Sequence, residues 1–272
     1  MNIRKSNSTF RLVASELVDE SIGDFLANRS KMAVPLGELC RLHGVTEISY
    51  EPMKVEGYLV KTEDGCAIRV NSNRHKYRKR FTVAHELAHI LVANRNGEDI
   101  QLKCRSKHFS SDEETLVDMV AAEILLPRNE LLHAIRNNQF RSWELVNYLH
   151  HTYQVSYTAT IRRLLDLPEV VGIWLAGNGA SYLSMSGWGS NSVLQVEHLN
   201  QIWRDFCWEG DDGKKSEVEI RTCDSRISLT AELKIMTRMG SRLKAGAEPN
   251  NRWILGWMEK PRPKTQQTFY FL

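Results

Sequence analysis

Residues 80–93 read Arg-Phe-Thr-Val-Ala-His-Glu-Leu-Ala-His-Ile-Leu-Val-Ala, and the pentad from His85 to His89 decides how the chain is interpreted. In an α-helix, residues four apart lie on one face, one turn above the other. His85 and His89 can therefore offer two imidazole nitrogens to one metal ion, while Glu86 lies beside that ion without binding it. A zinc ion held in this way keeps a position for water, whose proton a nearby carboxylate can accept. The pattern is typical of metal-dependent peptidases.

The residues around the pentad indicate a buried helix. Apolar side chains recur at steps of three and four residues, as expected for a helix face that packs on a core. They are Phe81, Ala84, Leu87, Ala88 and Leu91. Residues 94–97, Asn-Arg-Asn-Gly, have the chemistry of a helix end. A simpler alternative is a pair of core histidines with a solvated glutamate between them, so a third metal ligand is needed to favour a metal site.

The segment from Ser111 to Pro127 supplies a candidate for the third ligand. Serine and acidic residues open it, apolar residues fill its middle and Pro127 closes it, which predicts a second helix. Glu114 and Asp118 are four apart and share a face of that helix. We expect Glu114 to bind the metal and Asp118 to accept a hydrogen bond from a ligand histidine, which would fix the orientation of that ring.

These two segments resemble the ImmA/IrrE family of metallopeptidases. Members carry a motif like R-R-F-T-x-A-H-E-x-x-H, followed by a helix like E-x-x-A-N-x-F-A-A-x-L-L-M-P, and residues 78–89 and 114–127 follow both patterns in register. No departure from the patterns removes a metal ligand. The departures are Val117 for the usual Ala, Asp118 for Asn, Val120 for Phe, and Ala88 where Gly is common.

The resemblance implies a zincin-like, gluzincin-like α+β domain in which His85, His89 and Glu114 bind the metal and Glu86 is the general base. Two histidines and one carboxylate suit zinc, with manganese or iron as alternatives. The resemblance also implies an endopeptidase whose substrate is a repressor with a helix-turn-helix domain. Cleavage of that repressor would release phage, mobile-element or stress-response genes from transcriptional repression.

Residues upstream of the pentad predict a small sheet and two helices. Strands are predicted at 47–50, 57–61 and 66–71, the last two as a hairpin around residues 63–65. Helices are predicted at 15–26 and 36–42, where they would cover the sheet. An open sheet edge beside a metal site can accept a peptide as an additional strand, which fits a protease.

Residues 128–167 have the spacing of a helix-turn-helix. Helices are predicted at 143–149 and 159–165, with a turn at 154–156. Arg162 and Arg163 could contact phosphates, although helix packing or contact with a protein partner is the favoured interpretation and direct DNA binding the weaker one. Two other classes of function stay open: a non-proteolytic, antitoxin-like regulator, and a DNA-binding regulator acting through residues 142–166. Retention of all four metal and base positions argues against the first.

The bulk composition is that of an ordinary compact protein. The 272 residues are 42% apolar and 25% charged, and a net charge of +3 is too small to argue nucleic-acid binding by itself. Five scattered cysteines lack paired metal spacing, so we expect reduced thiols in the cytoplasm. No stretch resembles a signal peptide or could cross a membrane. The basic run from Arg74 to Arg80 is interpreted as a solvated face, with guidance of an acidic or DNA-bound substrate as the alternative.

The composition changes after Pro168, which predicts two domains, 1–167 and 168–272. Six of the seven tryptophans lie in the second, where we interpret them as core residues. Its predicted strands are 170–175, 180–185, 218–222, 252–258 and 268–272, with a turn at 177–179 and a helix at 193–208. The resemblance suggests a GAF-like α+β domain that receives a signal or docks a substrate. A nuclease-like pattern, Asp224 with Glu232-Leu233-Lys234, is weak because no strong apolar strand is expected to carry it.

Overall fold

The described part of this computed structural model comprises residues 3–28, 32–98, 110–137 and 142–167, together with five strands beyond position 173. It divides into two compact units, Met1–Ala134 with Asn147–Thr160, and Ile135–Val146 with Ile161–Leu272. Each unit is described by itself. The boundary at residue 167 stays a prediction.

The first unit contains a three-stranded sheet in the order β1-β3-β2. Its strands are β1 (Val45–Glu51), β2 (Gly57–Thr62) and β3 (Gly65–Asn71). The hairpin of β2 and β3 forms as predicted, with Gly57 opposite Val70 and Thr62 opposite Gly65. β1 pairs with β3 in parallel. β3 is therefore the central strand, and most of its side chains are buried, whereas β1 and β2 form the two edges.

Four helices among the described residues complete the part of the fold that carries the pentad. They are α1 (Ile3–Ala27), α2 (Leu36–Leu42), α3 (Lys76–Arg95) and α4 (Ser111–Leu125). α2 contacts β1, as expected. The expectation that α1 covers the sheet was wrong, because α1 packs mainly against α4 and α3. Its apolar side chains instead cover the two helices that carry the predicted metal ligands.

α3 is buried over more of its surface than its sequence pattern indicates. Residues 82–84 and 86–93 are all buried, including Glu86 and His89. The cause is its position between two layers, since α3 contacts β2 and β3 as well as α4. It ends where residues 94–97 predicted, with Gly97 at a φ of +67°, a conformation that glycine adopts without strain.

Three shorter helices follow α4. They are α5 (Arg128–Asn137), α6 (Ser142–Tyr153) and α7 (Tyr157–Leu165), and the last two form the predicted helix, turn and helix. Gln154 takes a φ of +53° in the turn. The buried carboxylate of Glu123 accepts a hydrogen bond of 2.6 Å from the backbone N–H of Arg128, which caps the start of α5. None of the helices in the described ranges combines the length and apolar character needed to span a membrane.

The five strands of the second unit form one antiparallel sheet in the order β5-β4-β8-β7-β6. The strands are β4 (Trp174–Asn178), β5 (Leu183–Ser186), β6 (Lys215–Arg221), β7 (Arg226–Ile235) and β8 (Arg252–Trp257). The hairpin predicted around residues 177–179 forms, because β4 pairs antiparallel with β5, but Gly177 and Asn178 belong to β4, where pairing with β8 continues through both residues. The ladder therefore outweighs their local preference for a turn.

The other strand predictions for this unit have mixed outcomes. Strands exist near the predicted positions 218–222 and 252–258, but β7 was missed, and it carries Glu232 and Lys234 of the nuclease-like pattern. The helix predicted at 193–208, the strand at 268–272 and Asp224 lie outside the described residues. The GAF-like character of this unit stays a prediction.

Candidate metal centre

His85 and His89 lie one turn apart in the middle of α3, and their imidazoles face each other. Their Nε2 atoms are 3.2 Å apart, and the planes of the two rings are inclined by 81°. Leu87 and Leu91 on the same helix are almost completely buried. A helix anchored in this way holds both nitrogens toward one point, which a preorganised metal site requires.

Glu114 brings a carboxylate from α4 to the same point. Its Oε2 lies 3.5 Å from Nε2 of His85, and its Oε1 lies 3.6 Å from Nε2 of His89. The position of Glu114 follows from the start of α4, where the Ser110 hydroxyl accepts a hydrogen bond of 3.1 Å from the backbone N–H of Glu113. That cap fixes which residues form the first turn.

The spacing of these three groups suits a shared metal ion. One ligand atom from each of them lies within 4.8 Å of the others. The shortest separations are 3.2, 3.5 and 3.6 Å, the last two to different carboxylate oxygens of Glu114, and neighbouring ligand atoms of a zinc tetrahedron lie about 3.4 Å apart. Within the described ranges, His85, His89 and Glu114 are the group of side chains that could hold a metal ion. Two imidazoles and one carboxylate also form a donor set that zinc accepts.

Asp118 lies one turn after Glu114 and contacts the other side of the His85 ring. Nδ1 of His85 donates a hydrogen bond of 2.9 Å to Oδ1 of Asp118, and in the neutral imidazole this bond makes Nε2, on the side of Glu114, the nitrogen that can bind a metal. Burial acts to lower the pKa of His85, but the hydrogen bond to Asp118 and the charges of Glu86, Asp118 and Glu114 outweigh it and raise that pKa. The surroundings therefore favour positive charge.

Glu86 is buried, with 8% of its surface exposed. Burial raises the pKa of its carboxyl to about 7; the charge of His85 acts in the opposite direction and that of Glu114 in the same direction. A carboxyl with a pKa near neutrality can accept a proton and return it within one reaction cycle. The alternative interpretation of the pentad placed a solvated glutamate between two core histidines. It is wrong for Glu86, which is buried.

Gly57, at the start of β2, lies directly against this part of α3. A Cβ atom at Gly57 would overlap Cγ2 of Thr82, lie 2.8 Å from the carbonyl oxygen of Arg69, and lie 3.7 Å from Oε1 of Glu86. Only glycine lets the strand approach α3 this closely. The start of the β2 edge is therefore adjacent to Glu86.

The basic run before the pentad is not simply a solvated face. Arg74 and Arg78 form ion pairs with Glu56, and Arg80 donates a hydrogen bond of 3.1 Å to the carbonyl oxygen of Val34. The sequence interpretation missed Glu56, because nothing local links an acidic residue in a loop to arginines some 20 positions later. Arg162 lies in the last turn of α7 with Arg163, and its role in DNA binding stays a prediction.

Comparisons with known proteins give a family match over this part of the chain and a solved structure of similar fold. A family model described as the IrrE N-terminal-like domain, a peptidase family, matches residues 43–165, which include all of the metal centre. A solved structure of a Mycobacterium tuberculosis transcriptional regulator has a similar fold, with a TM-score of 0.54, 15% identity, and coverage of 91% of this chain and 86% of that chain. No curated protein matches the chain.

Proposed function

Residues 43–165 belong to the IrrE N-terminal-like peptidase family, and from this premise we propose that the protein is a zinc-dependent endopeptidase. His85, His89 and Glu114 would hold the metal, and Glu86 would be the general base. The observation that carries the proposal is the convergence of three side chains from two helices, with one ligand atom of each within 4.8 Å of the others. Manganese or iron could occupy the same donor set.

The side chains around the metal centre have distinct tasks in this reaction. A bound zinc ion would supply a positive charge for the substrate carbonyl and would lower the pKa of water. Glu86, buried beside both histidines, would accept a proton from the attacking water and deliver it to the leaving amine. Asp118 keeps the His85 ring in one orientation. The open edge of β2 beside Glu86 would hold the peptide as an added strand.

The proposed substrate is a helix-turn-helix repressor in the cytoplasm, by resemblance to the ImmA/IrrE family. A transcriptional regulator with a similar fold agrees with such a setting. The main alternative is a non-proteolytic regulator that binds DNA or a partner through α6 and α7. It differs from the proposal in one respect that can be measured, because it does not need Glu86.

The test combines metal analysis with a search for a single cleaved peptide bond in the candidate repressor. The purified protein, loaded with zinc, is incubated with the helix-turn-helix repressor encoded beside its own gene, and the products are identified by mass spectrometry. We expect one zinc ion per chain and a single cleavage site, with Glu86→Gln retaining zinc but not cleaving. If the Glu86→Gln protein regulates its target genes as well as the unaltered protein does, the alternative is correct.

A further inference from the structure

The loop that leads into β2, residues 52–56, is held by hydrogen bonds from Asn71 and by ion pairs of Glu56. It ends at Gly57, whose backbone lies against Thr82 and close to Glu86. Any shift of this loop would move the start of the β2 edge relative to Glu86. The contacts that fix the loop therefore also fix the geometry between a bound peptide strand and the general base.

Asn71, the last residue of β3, holds the loop from the inside. Only 2% of the surface of Asn71 is exposed. Its side-chain amide group donates hydrogen bonds to the carbonyl oxygens of Met53, at 2.7 Å, and Val55, at 2.9 Å. Its backbone N–H also donates to the carbonyl oxygen of Glu56, at 2.9 Å. Three carbonyl oxygens of the loop are thus fixed by one buried residue.

Glu56 holds the same loop from the outside. One carboxylate oxygen lies 2.9 Å from the Arg74 guanidinium, and the other accepts a hydrogen bond of 3.1 Å from Nε of Arg78. Arg78 belongs to α3, and its guanidinium lies over the ring of Phe81, 5.5 Å from the centroid. The Phe81 ring lies 6.2 Å from that of His85. This contact series connects the loop to the helix of the metal ligands.

We propose that Glu56, Asn71 and Arg78 form a loop clasp that positions the β2 edge beside Glu86, so that a peptide paired with β2 presents its scissile bond to the general base. The inference rests on the proposed peptidase function and adds three positioning residues to it. Half-exposed ion pairs such as Glu56–Arg78 contribute little to stability. Loss of this pair should therefore change substrate alignment much more than folding.

The experiment compares substrates of two lengths. A peptide of about ten residues can pair along β2, whereas a blocked dipeptide amide cannot. For Glu56→Ala and Arg78→Ala we expect kcat/KM for the long peptide to fall roughly tenfold, since small misplacements of a reacting group have effects of this size or larger. We expect less than a twofold change for the dipeptide, an unchanged zinc content, and partial recovery in Glu56→Gln, which still accepts hydrogen bonds.

Glu47→Ala is the matched control, because Glu47 forms a comparable ion pair with Arg69, at 2.8 Å, on the β1 side of the sheet. It should leave both substrates unaffected. Equal losses for the long and short substrates in the Glu56 and Arg78 variants would overturn the clasp, since a general structural defect acts on both. Equal losses for Glu47→Ala and Glu56→Ala would overturn it as well.

Hydrogen exchange separates failure of the clasp from failure of the proposed function. If the unaltered protein cleaves neither substrate, the peptidase proposal fails, but the clasp still predicts faster amide exchange across residues 53–62 in Glu56→Ala and in Asn71→Ser. Unchanged exchange in that segment would overturn the clasp independently of any activity.

Discussion

α3 takes part in two clusters that contain histidines, and the two clusters surround their imidazoles with different partners, carboxylates in one and neutral groups in the other. The metal cluster, consisting of His85, His89, Glu114 and Asp118, directs imidazole nitrogens at one another and at carboxylates. The tyrosine cluster, consisting of His150, Tyr77 and Tyr157, gives both nitrogens of one imidazole a neutral partner. Nδ1 of His150 donates to the Val155 carbonyl oxygen at 2.6 Å, and its Nε2 accepts from the Tyr77 hydroxyl at 3.0 Å.

The contrast shows how a ligand histidine differs from a structural one. The surroundings of His85 raise its pKa, because the Asp118 hydrogen bond and three carboxylate charges outweigh burial. Burial lowers the pKa of His150, and the nearby His151, Lys76 and His75 act in the same direction, against the Val155 hydrogen bond. The first cluster favours a positive charge at its centre, and the second favours a neutral ring, which is stacked on Tyr157 at 3.9 Å.

The largest expected effect is a difference in zinc content between variants of the two clusters. His89→Ala should lower zinc affinity by more than the roughly 10–100-fold that loss of an outer partner causes, and peptide cleavage should disappear with the metal. His150→Ala should retain one zinc per chain, because its ring lies in the tyrosine cluster. Elemental analysis after dialysis measures both. If His89→Ala retained zinc, or His150→Ala lost it, the two clusters would not differ in metal binding as expected.

A smaller effect is expected for the carboxylate behind His85. Asp118→Ala leaves all three ligands in place but removes the acceptor that orients the His85 ring, so zinc affinity should fall roughly 10–100-fold. Asp118→Asn should do less, since an amide oxygen can still accept the hydrogen bond. Asp112→Ala removes an equal charge from the first turn of α4 and is the control. Equal losses in the Asp112 and Asp118 variants would mean that only overall charge matters.

The next prediction separates metal binding from proton transfer within the metal cluster. Gly57→Ala inserts a methyl group that would overlap Cγ2 of Thr82 and lie 2.8 Å from the carbonyl oxygen of Arg69, so the start of β2 must shift relative to α3 and Glu86. The shift should lower kcat roughly tenfold without reducing zinc content. Gly37→Ala is the control, because a Cβ atom there meets nothing within 4 Å and should favour α2 by about 0.5–1 kcal/mol. A Gly57→Ala enzyme with full kcat would show that Glu86 tolerates displacement.

Much of the metal cluster could be predicted from sequence because its members are local in the chain. The four-residue spacing of His85 with His89, and of Glu114 with Asp118, defines two helix faces. The capping chemistry of Ser110 and Gly97 fixes where those helices begin and end. Local sequence does not indicate that these faces of α3 and α4 lie against each other. That expectation came from the family resemblance.

The tyrosine cluster and the loop clasp could not be predicted because their partners are far apart in sequence. Tyr77 and His150 are separated by 73 positions, and no pattern in either segment specifies the other. The same holds for the parallel pairing of β1 with β3, which depends on tertiary packing. β7 is different, since its alternating Ile227, Leu229, Ala231, Leu233 and Ile235 are a strand signal that the sequence interpretation overlooked.

The smallest expected effect concerns pH and the tyrosine cluster. Because burial holds the pKa of His150 below its ordinary value of 6.5, the ring is neutral in both folded and unfolded chains above that pH, and its contribution to stability is then complete. As the pH falls below 6.5, the unfolded chain binds a proton first, so the free energy of unfolding decreases. The decrease ends below the folded pKa, where both states are protonated.

Urea unfolding of the metal-free protein between pH 8 and pH 5 measures this effect. We expect the midpoint to fall with pH more steeply in the unaltered protein than in His150→Gln, which cannot titrate at that position. The difference between the two curves isolates His150 from the ligand histidines, because those are present in both proteins. If the urea midpoints of the two proteins changed with pH in parallel, the tyrosine cluster would not keep the His150 imidazole neutral. The two clusters would then differ only in that carboxylates surround the histidines of the metal cluster.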